Sequence, residues 1–290
     1  MPSWRLLVPV VFVLLAASCS GGSPAPPPAA RIEARRPSPA TSPSPATSPS
    51  PAPVVLIVME NHSYGQIVGN AAAPYLNRFA SRGTLFTRMQ AVSHPSLPNY
   101  LALTAGSTLG CASDGCPARF SRAGNVFHQL AAAGSPWRSW QESMPARCVL
   151  HDASPYVLHH NPPPYYRDLF PRACPRHDRP YPRPLPKRIP GLTFITPNAC
   201  HDMHDCSVGV GDAWLRSHVP PLLRSGAIVV ITFDEGIGNN HIYCAARGPG
   251  IEHGVRRQGS FTHYSVLAWV ERHFGLSRLR LARSARPLSL

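Results

Sequence analysis

Two segments are almost uninterrupted apolar runs rich in β-branched residues: Val54-Val55-Leu56-Ile57-Val58-Met59 and Ala227-Ile228-Val229-Val230-Ile231-Thr232-Phe233. A strand with one face in water alternates polar and apolar residues. A continuous run is expected of a strand covered on both faces, as in a parallel sheet lying between helices. Both runs end abruptly in acids, the first at Glu60-Asn61 and the second at Asp234-Glu235. Helical spacing recurs over 74–82, 98–105, 125–133, 212–225 and 262–274, and Gly83, Gly106, Gly134 and Gly275 stand at helix stops. Pro220 and Pro221 are expected to interrupt the fourth of these helices. Shorter strands are expected over 85–92 and 192–196. The alternation predicts an α/β domain built from βαβ units. Residues 143–190 read as a long irregular insertion, of a kind that is often functional.

The domain is expected to span 54–290. Before it, Arg5, the apolar run Leu6 to Leu15 and the small residues Ala16, Ala17 and Ser18 lead to Cys19, which reads as an export signal over 1–19 with a lipobox-like end. Lipidation of Cys19, plain secretion and a retained anchor remain alternatives. The run is too short to favour a spanning helix. Residues 20–53 are rich in Pro, Ser and Ala and read as an extended linker. The net charge is +14, but 27 arginines against the single Lys187 point to compositional bias. No basic run interleaved with stacking aromatics stands out, so a nucleic-acid partner is not expected.

Export places the seven remaining cysteines in an oxidising space. Spacing suggests Cys111–Cys116, Cys148–Cys174 and Cys200–Cys206, leaving Cys244 as a buried thiol. No CxxC pair exists to support a zinc site.

Ligands of open parallel sheets bind at the carboxyl ends of strands. Glu60, Asn61, Asp234 and Glu235 at two such ends are candidate ligands of a divalent cation, or else ordinary polar strand ends. Ser96, in His94-Pro95-Ser96-Leu97-Pro98-Asn99, opens a helix. It is either an N-cap or a nucleophile beside N–H groups that grip phosphate. Asn99 either donates to phosphate or holds the turn. Residues 196–206 place His201, Asp202, His204 and Asp205 between two cysteines. Imidazoles in such a loop can protonate a leaving group, though a disulfide loop with surface charges is the plainer reading. His160 and His263, taken singly, read as structural or exposed.

Six segments together resemble the bacterial phosphoesterase family of acid phosphatases and phospholipases C, within the alkaline-phosphatase-like superfamily. They are ENHSYGQIVG (60–69), HPSLPNYLALTAGS (94–107), HNPPPYY (160–166), TPNACHDMHDC (196–206), VVITFDEG (229–236) and HYSVLAWVERHFGL (263–276). The resemblance implies a three-layer α/β/α sandwich around a mainly parallel sheet. It also implies a divalent metal ion, of unnamed identity, on Glu60, Asn61, Ser96, Asp234 and Glu235. SLPN resembles the TFPN segment around the nucleophilic threonine of nucleotide pyrophosphatases, which makes Ser96 the nucleophile and Asn99 its phosphate-orienting neighbour. Thr104 and Ser107 are weaker candidates. His160, Asp202, His204 and His263 match positions near the phosphate. Gly65 stands where family members often carry Asp, which puts the order of that loop in question.

The expected activity is metal-dependent hydrolysis of a phosphoester through a phosphoserine. The substrate is a small phosphomonoester, as in an acid phosphatase, or a phospholipid diester, as in a phospholipase C. The absence of the large extra domains of bigger phospholipases favours the former. A metal-free Ser–His–Asp hydrolase needs a GxSxG elbow, which the chain lacks. An inactive surface-tethered binding protein need not keep acids at both strand ends.

Overall fold

The computed structural model describes residues 14, 15, 18, 21–25, 50–117 and 124–290. The chain divides into units of residues 1–48 and 49–290. Most of the export signal, Cys19 and most of the linker lie outside the described residues. No described helix is long and apolar enough to cross a membrane.

The strands are β1 (Val54–Met59), β2 (Thr84–Phe86), β3 (Met89–Gln90), β4 (Trp137–Gln141), β5 (Asp178–Pro180), β6 (Leu192–Thr196), β7 (Ile228–Phe233), β8 (His241–Ile242), β9 (Cys244–Arg247), β10 (Val255–Arg257) and β11 (Phe261–Thr262). The helices are α1 (Tyr64–Ile67), α2 (Pro74–Ser81), α3 (Ser96–Ala105), α4 (Val126–Ala132), α5 (Ala173–His177), α6 (Val208–Arg224) and α7 (His263–His273). The larger sheet has the order β10-β2-β9-β7-β1-β6-β4-β5. Only β9 runs against the rest, so the sheet is mainly parallel, as expected. β11, β3 and β8 form a small second sheet.

Every residue of β1 and β7 is buried, so helices cover both faces of the sheet. α2 packs on α6 and on β9, whereas α3 packs on α7 and α4. This is the layered α/β architecture that the apolar runs predict.

Some elements differ from expectation. α6 begins earlier than predicted and runs through Pro220 and Pro221 to Arg224. Proline removes the donor to the carbonyl four residues back. Those carbonyls belong to Arg216 and Ser217, both exposed, where water can satisfy them. The strand expected over 85–92 is two short strands in different sheets. The irregular region 143–190 contributes β5 and a 3-10 turn at Leu158–His160.

All three expected disulfides form, and Cys244 is a free, buried thiol. The pairing suits an extracytoplasmic, oxidising compartment.

α2 has no capping side chain of its own at Ala73. Asp212 of α6 supplies one from a distant part of the chain. Its two oxygens accept the N–H of Tyr75 at 2.9 Å and of Leu76 at 2.8 Å. Asp212→Ala should therefore destabilise the domain by about 1–3 kcal/mol, read as a lower urea midpoint with unchanged slope.

Asp178 is fully enclosed. Its Oδ2 accepts from Nδ2 of Asn161 at 2.9 Å and its Oδ1 has no partner. Burial pushes its carboxyl up to about 7, against roughly 3.9 in an unfolded chain. The folded state thus keeps a proton that the unfolded state releases. The stabilisation this brings is complete below about pH 4 and is lost as pH rises toward 7. Urea midpoints across that range should fall less steeply for Asp178→Asn than for the parent protein; an identical slope in both would refute the assignment.

Candidate active site

β1 and β7 are adjacent and in register, so Glu60 and Asp234, the residues that follow them, emerge side by side. The junction is tied by the backbone. Asp234 N–H donates to the Met59 carbonyl at 2.9 Å, and Asn61 N–H donates to Oδ1 of Asp234 at 3.2 Å. Asn61 takes a positive φ of 54°, a turn conformation that asparagine tolerates well. Glu60 N–H reaches the carbonyl of Asp202 at 2.9 Å, which draws the 196–206 loop to the same point.

That loop is built around Asn198 and the Cys200–Cys206 bridge. Oδ1 of Asn198 accepts from the N–H groups of Cys200 and His201. A side chain at Gly211, beneath the loop in α6, would collide with the His201 carbonyl at 2.8 Å. Glu142 anchors His201 at 2.8 Å, so this histidine turns away from the acids. Asp202 turns inward. Its Oδ1 accepts from His204 N–H at 2.8 Å, and its Oδ2 lies 3.3 Å from Nδ1 of His160.

α3 delivers the hydroxyls. Ser96 is its first residue and does not cap it; the Leu97 N–H is met by Asp114 at 2.9 Å. The Ser96 hydroxyl instead donates to Oε2 of Glu60 at 3.1 Å. One turn on, Tyr100 donates to Oε1 of the same carboxyl and stacks on His160 at 5.5 Å. A further turn on, Thr104 meets the Tyr166 hydroxyl at 2.6 Å. Ser96, Tyr100 and Thr104 thus form a buried polar stripe at helical spacing.

Glu60, Asp202 and Asp234 are completely buried. Among the described residues, Glu60 and Asp202 pair only with His160, and Asp234 pairs with no basic group. Burying an unpaired carboxylate costs several kcal/mol, so protonation is favoured. Burial, then the charges of Asp234 and Asp202, hold Glu60 well above the usual carboxyl range. Burial likewise raises Asp234 and lifts Asp202 to about 8. Burial drops His160 to about 4, so it is a neutral imidazole. His204 is exposed. Partial desolvation lowers its pKa, but its hydrogen bond to Asp205 and the nearby acids outweigh that and raise it.

These groups fit a bound cation. Glu60, His160 and Asp202 offer ligand atoms within 4.8 Å of one another. Nε2 of His160 and Oδ2 of both Asp202 and Asp234 are buried without a hydrogen-bond partner. The other such group, Cys148, Cys174 and Asp178, is closed to metal because its cysteines form a disulfide.

The remaining expected residues are distributed around this cluster. Glu235 binds Nδ1 of His94 at 2.6 Å, and burial, then Asp234, lift it to about 7. Asn99 is fully engaged: its Oδ1 accepts from Val92 and Ser93, and its amide donates to the carbonyls of Ser93 and Pro95. His263, the first residue of α7, contacts the Phe233 carbonyl at 3.1 Å, which leaves its buried Nδ1 without a partner. Ser107 accepts from the Leu109 N–H at 3.0 Å. Sequence reasoning overlooked Tyr100, His94 and Asp114. Only Tyr100 carried a signal, its four-residue spacing from Ser96.

Comparison with known proteins gives the family. Residues 70–277 match the model of the Phosphoesterase family. A phosphatidylinositol-3-phosphatase of Mycobacterium tuberculosis is 33% identical over 246 residues, covering 82% of each protein. A phosphate-repressible acid phosphatase of Penicillium chrysogenum is 31% identical over 229 residues, covering 70% of this chain and 55% of its own length. The chain therefore spans little more than half of that fungal relative. A solved protein of the alkaline phosphatase superfamily from Vibrio parahaemolyticus superposes with a TM-score of 0.51 at 13% identity, covering 83% of this chain and 71% of its own, a likeness of fold alone. With the match extending over most of the folded unit, the chain belongs to the phosphoesterase family and is a hydrolase acting on phosphoric ester bonds.

Proposed function

We propose that the chain is a cation-assisted phosphomonoesterase with Ser96 as nucleophile. One observation carries this reading. The Ser96 hydroxyl, at the positive end of α3, donates to Glu60 inside a buried cluster of three carboxyls and His160. A serine needed only for packing or capping has no reason to face that cluster. The relatives named as phosphatases support a monoester over a diester.

Glu60, Asp202, Asp234, His160 and the Ser96 oxygen are the groups that would hold a divalent cation, with Asn61 and Glu235 beside them. A mainly oxygen donor set suits a hard ion. Bound there, the cation would supply the positive charge that acidifies a hydroxyl and polarises a phosphoryl oxygen.

The protein's own groups do the rest. The Ser96 proton leaves toward Oε2 of Glu60, which it already faces and which must be ionised to accept it. Oγ bonds to phosphorus as the bond to the ester oxygen breaks. His204, at the exposed side of the cluster, protonates the departing alkoxide. Water, losing a proton to His204, then attacks phosphorus; the Oγ–P bond breaks, Oγ takes back its proton from Glu60, and inorganic phosphate leaves. We assign Asn99 to positioning, since its amide fixes the chain just before Ser96. His263 holds the end of β7, and with it Asp234. Tyr100 orients Glu60 by donating to its Oε1, and the neutral His160 stacks on Tyr100 beside it. Export with an N-terminal lipid on Cys19 belongs to the same proposal, as the means of holding the enzyme outside the cytoplasm.

Ser96→Ala should lower kcat/KM for nitrophenyl phosphate by at least about 1000-fold while the melting temperature stays close to that of the parent protein. Substantial turnover by the variant would move the nucleophile elsewhere. Exhaustive chelation should silence the parent enzyme and a divalent cation should restore it; full activity after chelation would sink the cation. Faster hydrolysis of nitrophenyl phosphocholine than of nitrophenyl phosphate would replace the monoesterase with a phospholipase C-type reading.

A further inference from the structure

The acid cluster lies at the C-terminal ends of β1 and β7. The opposite edge of the sheet has a different chemistry. A groove of about 370 Å³ between α2 and α6 is walled by Arg78, Arg82, Arg216, Arg224 and Arg247. Tyr75, Phe79, Pro220 and Leu223 complete its lining.

Strand register fixes the position. Arg247 ends β9 opposite Val229, at the start of β7. Arg224 closes α6 just before β7 begins, and Arg82 follows α2 just before β2 begins. β2 and β7 run in the same direction, so both start at this edge. The chain also enters the domain here, where the Pro53 carbonyl accepts from Ile228 N–H at 2.8 Å.

None of the five guanidinium groups is neutralised. Among the described residues, arginine ion pairs belong to Arg183 and Arg257. Asp212 is close enough to influence Arg78 and Arg216, but its oxygens are taken by the N–H groups of Tyr75 and Leu76. Coding bias accounts for how many arginines the chain has. It does not account for five of them, from α2, α6 and β9, converging around a groove with no free carboxylate. The guanidinium fork matches phosphate oxygens, and its charge is lightly hydrated, so it binds well at a surface. Tyr75 and Phe79 are buried at the base of the groove, so it is the arginines, four of them exposed, that it presents to a partner.

We propose that this groove docks the domain on an anionic phospholipid surface, with headgroup phosphates against the five arginines. Docked this way, the Ser96 edge faces away from the lipid, open to soluble substrates. The docking stands on the groove alone and does not depend on the chemistry assigned to Ser96.

The test compares the full chain with the triple variant Arg78→Gln, Arg216→Gln, Arg224→Gln. Both are sedimented with vesicles of phosphatidylcholine alone or mixed with phosphatidylglycerol. The parent protein should prefer the anionic vesicles, and the variant should bind them roughly 100-fold more weakly at low salt. The difference should fade at high salt. Melting temperature and nitrophenyl phosphate hydrolysis should match between the two. Equal binding of the variant and the parent protein would overturn the proposal, as would equal binding of the parent protein to both vesicles. Release of the parent protein from anionic vesicles by millimolar inorganic phosphate would assign the groove to soluble phosphate instead. Tight capture of soluble polyphosphate without a vesicle preference would assign it to a polymer.

Discussion

Three carboxyl groups held out of water without a lysine or arginine beside them are the constraint on which the rest of the site depends. Glu60, Asp202 and Asp234 reach this point from two strand ends and a disulfide-closed loop. Left charged and unpaired, they would work against folding. The surrounding structure accordingly grips each one by its backbone: Glu60 by Asp202, Asp234 by Met59, Asp202 by Asn198. Side-chain neutralisation is left to protons or to a cation. A centre that is unfavourable when empty and held in place from outside is well suited to bind positive charge.

The same logic explains why the hydroxyls come from a helix and the imidazole from an irregular segment. α3 is buried along its whole length, so Ser96 and Tyr100 have little rotamer freedom, and a shared four-residue spacing aims both at Glu60. Gly106 ends the helix in a left-handed conformation and lies so close to the Leu279 carbonyl that a Cβ would sit 2.6 Å from it. His160 instead reaches Glu60 and Asp202 from a segment packed on α3, its ring stacked on Tyr100. A 3-10 turn in the region tied by Cys148–Cys174 allows that approach without a strand crossing the site.

The parts of the fold that hydropathy records were legible in the sequence. β1, β6 and β7 are apolar throughout or nearly so, and they appear where the runs predict. β4 was not legible, although it lies inside the sheet beside β6. It buries Ser139 and Gln141, which bond each other, and Ser139 also bonds Asn161. Asn161 is distant in the chain, and polar residues alternating with Trp137 and Trp140 do not form an apolar run, so the segment does not read as a buried strand. The site divides in the same way. Strand-end acids and the helix-start serine follow from local pattern, whereas the link between Glu235 and His94 and the capping of α3 by Asp114 exist only once the chain has folded. Asn99 shows the limit of reading a residue type alone. An amide near Ser96 was a candidate phosphate donor, yet its hydrogen bonds hold the chain between Val92 and Pro95.

The two edges of the sheet also differ in how they treat charge. At the carboxyl edge, charge is buried, held by the backbone and spaced to converge on one point. At the amino edge, the groove arginines are carried mainly on exposed helical positions, with no carboxylate pairing them. Burial makes a single ionic contact strong and exacting, because water cannot substitute for the missing partner. Exposure makes each contact weak, screened and tolerant of position, so useful attraction requires several charges acting together. A catalytic centre needs the first regime and a docking surface the second. Placing them on opposite edges keeps the positive field of the groove about the length of a strand, roughly 20 Å and more than one Debye length, from the reacting phosphate. Phosphates held at the groove therefore do not compete for the cluster that Ser96 faces.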